Sequence, residues 1–500
     1  MRRLLTSMVA VLAMGASARA DGDDAFARIG EINRASLVMT VETGIVPRAL
    51  GRTIAQALDT VQANAAEPHA SRPDDYLRIE PLITAIAGPD ATRMHAGRSR
   101  QDIIPTVLKL EQRDRLLDLA ATLDDARASL LAVAEREAAT VIPAYTNGVQ
   151  AQPTTLGHYL LGYAAAMARD SDRLHEAWAR VNRSPLGAAA LGTSSFPVDR
   201  ARLAALLGFD APVENSYDAG QLAPMDLGLE LTGLAANLAT TAGSFSQDVY
   251  AQYHQTRPWI LLREGALTGP SSIMPQKRNP VAIYTLRMKA SDVVGGAMAF
   301  TIMAHNVDSG MPDYKRNQMI PPARTLAVAA EMCRRWVSVL DGLVVDRERA
   351  ADEVAADYST TTELADTLQR EADVPFRLGH HFVSELVTYG RSHNLRPADL
   401  PFDEVKRIYA EAAAGAGLPQ DMPKDLPLSE ARFRETLSAT GMIAAAKGFG
   451  GPQPAEVARM LGVAKDKLAA DRAWLSAKRD GLAKARAGLD AAFANLSTTP

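Results

Sequence analysis

Three stretches of this 500-residue chain carry apolar residues at alternating three- and four-residue steps. The first runs Leu116, Leu119, Leu123, Ala126, Leu130 and Val133. The second is Leu227, Leu231, Leu234, Leu238, Thr241 and Phe245. The third is Ile283, Leu286, Ala290, Val293, Ala297 and Phe300. That spacing draws one seam along each helix, and such a seam is buried only by packing against other long helices. Three of them dictate an elongated bundle, and helices with wide apolar faces ask for more partners than one bundle supplies. Aromatic residues make up only 5% of the chain while Ala and Leu abound, which favours helix over sheet. The expected fold is all-α, with a central long-helix bundle that forms oligomers.

The length implies roughly three domains. We place them at residues 21–105, 106–356 and 357–500, all helical, with the bundle in the middle one. Residues 1–20 read as a signal peptide. Arg2 and Arg3 give a basic start, Leu4 to Gly15 is mostly apolar but short for a bilayer, and Ala18-Arg19-Ala20 offers a small-x-small cleavage site. The expected location is therefore periplasmic or secreted, and no later apolar run is long enough to span a membrane. The net charge of −4 gives no reason for nucleic-acid binding. Cys333 is the single cysteine, so no intrachain disulfide forms, and it reads as a small buried hydrophobe beside Met332 and Trp336. His380 and His381 are adjacent, and helical neighbours point about 100° apart, so no metal site is expected there. The tail repeats Leu468, Leu475, Leu482 and Leu489 every seventh residue and reads as a helix packing weakly on the body.

Residues 265–280 interrupt this helical pattern with Gly265, Gly269, Pro270, Pro275 and Pro280. Prolines at 270 and 275 remove donors and clash with a preceding helical turn, so the stretch is a loop, and Pro280 opens the next helix. Its polar content is Ser271, Ser272, Gln276, Lys277, Arg278 and Asn279. Hydroxyl, amide and cationic donors in one loop suit a carboxylate or a developing oxyanion.

Gly-Pro-Ser-Ser-Ile-Met-Pro-Gln-Lys-Arg-Asn-Pro, residues 269–280, resembles the signature of the aspartase/fumarase superfamily. Further stretches are similar to its argininosuccinate lyase branch. They are His95-Ala-Gly-Arg-Ser-Arg-Gln-Asp102, residues 145–162 beginning Tyr145-Thr-Asn-Gly-Val-Gln-Ala-Gln-Pro153, residues 182–200, Asn215 to Ala219, and several C-terminal segments including residues 358–366 and 450–457. Gln101 replaces the family's Asn. Asn147 stands where the family carries a catalytic-site His, and an amide does not exchange protons near neutral pH. After Ala219 the family's charged run gives way to Gly220-Gln221-Leu222-Ala223-Pro224. His158 reads as a packed, structural residue.

The resemblance implies a homotetramer in which each active site draws loops from three subunits, and no cofactor. It implies elimination from an N-substituted succinate. A base removes a Cβ proton, an aci-carboxylate forms, and the amine leaves to give fumarate. Donors aimed at that dianion count for more in the transition state than in the ground state. By resemblance Ser271 is the base, ionised in place with help from Lys277. Lys277 and Asn279 hold the carboxylate that becomes aci, while Ser99, Arg100, Thr146 and Ser272 fix the diacid. Gln101, Asn147, Gln152, Met274, Tyr314 and Gln318 complete the expected substrate contacts. The default substrate is argininosuccinate, giving arginine. The alternatives are another N-succinylated amine such as ethylenediamine-disuccinate, or a lyase-shaped binding or structural protein without turnover.

Overall fold

The computed structural model describes residues 24–310, 321–415 and 423–498; the expected signal peptide lies outside them. In chain order the longer helices are α1 (Ala25–Glu42), α2 (Arg48–Ala65), α3 (Tyr76–Ala87), α4 (Arg100–Arg136), α5 (Leu156–Val181), α6 (Arg200–Leu206), α7 (Ser216–Gln221), α8 (Ala223–Gln252) and α9 (Val281–Ala304). They continue as α10 (Pro321–Asp341), α11 (Arg347–Ala356), α12 (Thr361–Ala372), α13 (Phe376–Ser392), α14 (Phe402–Gly415), α15 (Glu430–Thr436), α16 (Ala439–Ala445) and α17 (Pro454–Thr498). The chain is mostly helical, but the all-α expectation needs a correction. Four two-stranded sheets occur among the described residues, all short and all in connections between helices.

The central core is a bundle of α4, α5, α8, α9 and α10. All six residues of the first and third seams are buried, as are Leu227, Leu231, Leu234, Leu238 and Phe245 of the second. Each such Leu, Ile or Phe contributes roughly 1.5–3 kcal/mol by leaving water. Cys333 is fully buried here beside Met332 and Trp336, and burial pushes its thiol up to about 12.

A second core joins α1, α2, α3 and the first turns of α4, and a third joins α12 to α15. α4 begins at Arg100, so the division expected at residue 105 falls inside a continuous helix. The tail also differs from expectation. α17 starts against the central core with Val457, runs along α4 and α5, and ends against α1 and α2, where Leu489, Phe493 and Leu496 are buried. Midway, Arg127 of α4 donates to Asp471 of α17 at 2.5 Å, with both side chains almost fully enclosed. Small alanines between the leucines let α17 come close, and this ion pair satisfies the charge that close packing buries. The tail is part of two cores.

Strands β1 (Val141–Thr146) and β2 (Val149–Thr155) form an antiparallel hairpin between α4 and α5. Strands β3 (Arg183–Ser184) and β4 (Ala211–Pro212) pair beside α6. β5 (Ile260–Leu262) pairs with β8 (Leu343–Val345), tying the end of α8 to the end of α10. β6 (Gly269–Pro270) and β7 (Arg278–Asn279) close the base of the loop that precedes α9.

Candidate active site

The residues singled out in the sequence lie on three structural devices. The first is the start of α4. Ser99 is its N-cap: the hydroxyl accepts the Gln101 N–H at 3.2 Å, and Asp102 accepts the Ser99 N–H at 2.8 Å. This reciprocal capping box fixes Ser99, Arg100 and Gln101 at the positive end of a 37-residue helix, a place that favours a carboxylate. Pro105 has no N–H to offer the Gln101 carbonyl, so that oxygen is released from the helical ladder.

Asp102 also holds the neighbouring loop. Its second oxygen accepts from Gly187 N–H at 2.8 Å and Ala189 N–H at 3.1 Å. The loop it holds is strained, with Ala189 at φ 54° and Thr193 at φ 59°. A β-branched residue in the left-handed region persists only where its surroundings over-determine it. Burial pushes the Asp102 carboxyl up to about 6, against the three N–H donors and the Arg98 charge. Arg98 is itself buried, donates to Asn33 at 3.1 Å and lies 4.7 Å from the Tyr76 ring centroid. Tyr76 stacks on His95 at 4.5 Å, and burial, reinforced by Arg98, pulls His95 down to about 4. His95 is therefore a neutral packing element of this loop. Arg100, partly exposed, lies 3.5 Å from Asp75.

The second device is the β1–β2 hairpin, which the sequence reading did not foresee. Its two-residue turn is Asn147-Gly148, with φ of 53° and 77°. Two positive φ values make a type I′ turn, whose twist matches the strands, and Asn-Gly is its preferred pair. The family's His is thus replaced by the residue this turn favours. Thr146 pairs with Val149 across the turn, and both Thr146 and Asn147 are exposed, as is Gln152. Tyr145 donates to Glu353, which also accepts from Arg349 at 2.7 Å, so the hairpin is anchored to α11. At its base, Thr154 Oγ1 and His158 Nδ1 are 2.8 Å apart, and His158 Nε2 is 3.0 Å from the Gly450 carbonyl. That carbonyl fixes the proton on Nε2, so Nδ1 accepts from Thr154. His158 is a structural clamp.

The third device is the loop before α9. Ser271 Oγ accepts two backbone N–H groups, from Ile273 at 3.3 Å and Met274 at 3.0 Å. Lys277 N–H closes the same turn on the Met274 carbonyl at 3.2 Å. Asn279 reaches back to the Pro270 carbonyl at 3.4 Å, and Arg278 is held by Glu264 at 2.8 Å. Ser272, Met274 and Lys277 are exposed, and Ile273 is 83% exposed. Tyr314 and Gln318 lie outside the described residues.

How far apart are these devices? α4 separates Ser99 from the hairpin, and at 1.5 Å per residue its 37 residues span about 55 Å. α8 starts beside the α4 N-terminus, through α7, and ends beneath the hairpin. α9 runs back the other way, starting at the signature loop, where Leu267 meets Gly342 next to β8. The hairpin and the signature loop therefore share one end of the bundle, and Ser99, Arg100 and Gln101 occupy the other. One chain brings two devices together and holds the third apart.

The comparisons with known proteins agree with the motifs. Residues 71–295 match the lyase family model, and residues 358–444 match the argininosuccinate lyase C-terminal model. An argininosuccinate lyase of Haloarcula marismortui is 34% identical over 94% of this chain and 91% of its own length. The chain belongs to the aspartase/fumarase superfamily, in its argininosuccinate lyase branch. Argininosuccinate lyase 2 of Agrobacterium fabrum is also 34% identical, over 89% of this chain and 87% of that one. Among solved structures, EDDS lyase in complex with formate superposes with a TM-score of 0.84 at 28% identity, covering 95% of this chain and 92% of that one. A variant of EDDS lyase with bound fumarate gives 0.83, with the same identity and coverage. As a member of this superfamily the chain is a fumarate-lyase-type enzyme.

Proposed function

We propose that the protein is a carbon–nitrogen lyase that cleaves an N-substituted aspartate by β-elimination to fumarate and an amine. Ser271 is the base, and the observation that carries this is the pair of backbone N–H groups aimed at its oxygen. Those donors favour an alkoxide over a hydroxyl and stay in place while charge develops. Lys277 supplies the positive charge that completes ionisation, and with Asn279 it holds the carboxylate that becomes aci. Ser99, Arg100, Thr146 and Ser272 grip the diacid. Asn147 donates an amide hydrogen bond and no proton, so the leaving amine takes its proton from water or leaves already protonated.

The separated devices support a working homotetramer, in which an antiparallel neighbour brings its Ser99–Gln101 segment to the hairpin and signature loop. α9 carries a second stripe for this assembly, at 284, 288, 291, 295, 298 and 302. All six positions are exposed, and Tyr284, Met288, Met298 and Ile302 are 41–69% exposed. Its steps alternate four and three, the spacing of a helix-packing seam.

Argininosuccinate, giving arginine, is the default substrate. A second reading takes another N-succinylated amine, such as ethylenediamine-disuccinate. It is favoured by the likeness to EDDS lyase, by the loss of the family's charged run after Ala219, and by the expected export of the chain. Release of fumarate, followed by ultraviolet absorbance over a panel of N-substituted aspartates, tests both. Turnover of argininosuccinate alone selects the first reading, turnover of a diamine conjugate the second. No fumarate from any member refutes the lyase proposal and leaves a lyase-shaped binding or structural protein. Localisation is tested separately, by fractionating cells that express the full chain.

A further inference from the structure

Thr146 and Asn147 stand at the exposed tip of a two-stranded hairpin, a structure only marginally stable in water without support. The support lies one step below the turn. The Thr146–Val149 pair flanks Asn147-Gly148, and the next pair is Tyr145 opposite Gln150. Opposite residues of an antiparallel pair share a face, and both of these reach from it to the last turn of α11 and its exit. The Gln150 amide donates to the Val354 carbonyl at 3.4 Å and to Ser359 Oγ at 3.1 Å. The Tyr145 hydroxyl donates to Glu353, which Arg349 holds from the preceding turn.

The same hydroxyl is also an acceptor. The Trp259 indole and the Gln252 amide are its donors, from the segment entering β5 and from the end of α8. Both of those side chains are buried. A phenol has one O–H and two lone pairs, and all three are taken here. Tyr145 thus has nothing left to offer a substrate, and a single oxygen ties β1 to α8, to α11 and to the approach to β5. Partial burial and the neighbouring Glu353 carboxylate raise the Tyr145 pKa well above the ordinary tyrosine value, so the hydroxyl stays a donor through the neutral range.

We propose that Tyr145 and Gln150 are positioning residues, which hold Thr146 and Asn147 in the arrangement that grips the diacid. The proposal rests on the lyase reading of the hairpin. Its physical basis is geometric: a gripping group misplaced by about 1 Å costs on the order of 10²-fold in rate. The pair below the turn fixes the tip against three rigid elements at once, so the tip is placed by the body of the protein and not by its own two strands.

The test uses the full chain and follows fumarate release over the panel that includes argininosuccinate and ethylenediamine-disuccinate, with melting temperature and hydrogen exchange at the amides of residues 146–149 beside it. In Tyr145→Phe, kcat/KM should fall about 10–100-fold, with KM raised because the grip on the diacid is loosened. Exchange at 146–149 should quicken about tenfold or more, while exchange in α4 and α9 keeps its wild-type rates. Gln150→Leu should show the same pattern. Glu353→Leu should match Tyr145→Phe, and Glu353→Gln, which keeps an acceptor for the hydroxyl, should recover most of that loss. Tyr145→Phe combined with Glu353→Leu should be no worse than either alone, because both cut one link. Unchanged kcat/KM in Tyr145→Phe, unchanged exchange at the tip, or a lowered melting temperature with KM untouched would each overturn the proposal. No fumarate from any member of the panel with the wild-type chain would overturn the lyase reading, and the proposal with it.

Discussion

Replacing Ser271 by alanine separates the two things its oxygen does. As a hydroxyl it receives N–H bonds of 3.3 and 3.0 Å in an exposed turn, and losing them returns both donors to water. The cost to folding is therefore small, below about 1 kcal/mol. As a base the oxygen must ionise. A bond to a neutral acceptor contributes about 1 kcal/mol and one to a charged acceptor about 1.5–3, so two donors favour the alkoxide by about 1–4 kcal/mol. That lowers the hydroxyl pKa by about 1–3 units. A full positive charge at 4 Å adds about 4 kcal/mol at an effective dielectric of 20, or about 3 units more. Neither contribution suffices alone, so the turn and Lys277 act together. Ser271→Ala should lower kcat by about 10²–10⁴-fold with its melting temperature preserved. Lys277→Met should lower it less, by about 10–10³-fold, because a rarer alkoxide is also a stronger base. In Lys277→Met the acid-side limb of the pH–rate profile should move to higher pH. Fumarate absorbance across a pH series reads both. Turnover of Ser271→Ala within about tenfold of wild type removes Ser271 as the base, and an unmoved limb in Lys277→Met removes Lys277 as its activator.

Three other perturbations follow from the geometry. Asp102 has its carboxyl pushed up from 3.8 to about 6, so its contribution is fully present below pH 3.8 and is lost as pH rises through 6. The 2.2-unit difference corresponds to about 3 kcal/mol, so Asp102→Asn should gain about that much on wild type between pH 4 and 7 in urea unfolding; a constant difference would contradict the assignment. Arg127→Met leaves Asp471 and Asp124 buried without their shared cation and should cost about 3–5 kcal/mol, with Lys467, 2.6 Å from Asp471, holding it to the lower end. A loss under about 1 kcal/mol would mean that α17 is as loosely attached as its sequence implied. Met288→Lys together with Met298→Lys places charge on the exposed stripe of α9, and sedimentation should show smaller species than wild type; an unchanged sedimentation profile would refute the placing of subunit contacts on this stripe.

The bundle was legible because its seams are long. Six positions at helical spacing leave few ways to bury them, and Ile283 through Phe300 prove to be the buried face of α9. The hairpin was missed although its signal was present. Asn147-Gly148 sits between Val141–Thr146 and Val149–Thr155, and the pair reads as a tight turn once the flanks are seen as strands. Pro143 and Pro153 obscured this, since proline seldom sits in a ladder; here the two face one another across an edge hairpin. The tail was misjudged for another reason. Its leucines are sparse, and nothing in a sequence says that Asp471 will meet Arg127, 344 positions away. Asp102 was half legible. Ser99-x-x-Asp102 has the spacing of a capping box, but only folding reveals that the same carboxylate also holds residues 187 and 189.

The signature loop is poised by its own composition. Ile273 and Met274 are 83% and 40% exposed, an arrangement unfavourable in water. Covering an Ile side chain is worth roughly 1.5–3 kcal/mol, so closure over a bound diacid gains apolar burial as well as the meeting of Lys277 with a dianion. Desolvating Lys277 without an anion opposes closure, because an unpaired buried ammonium is costly. On the proposed function the loop is thus biased open when the site holds no diacid and biased shut when it does. In the proposed mechanism the alkoxide forms only in the shut state, where water is excluded and the N–H donors and ammonium act at low dielectric. In the proposed assembly the stiff parts serve the loop: α9 anchors it, the capped end of α4 provides the diacid grip, and the bundle's length keeps these two apart within a chain until a neighbour joins them.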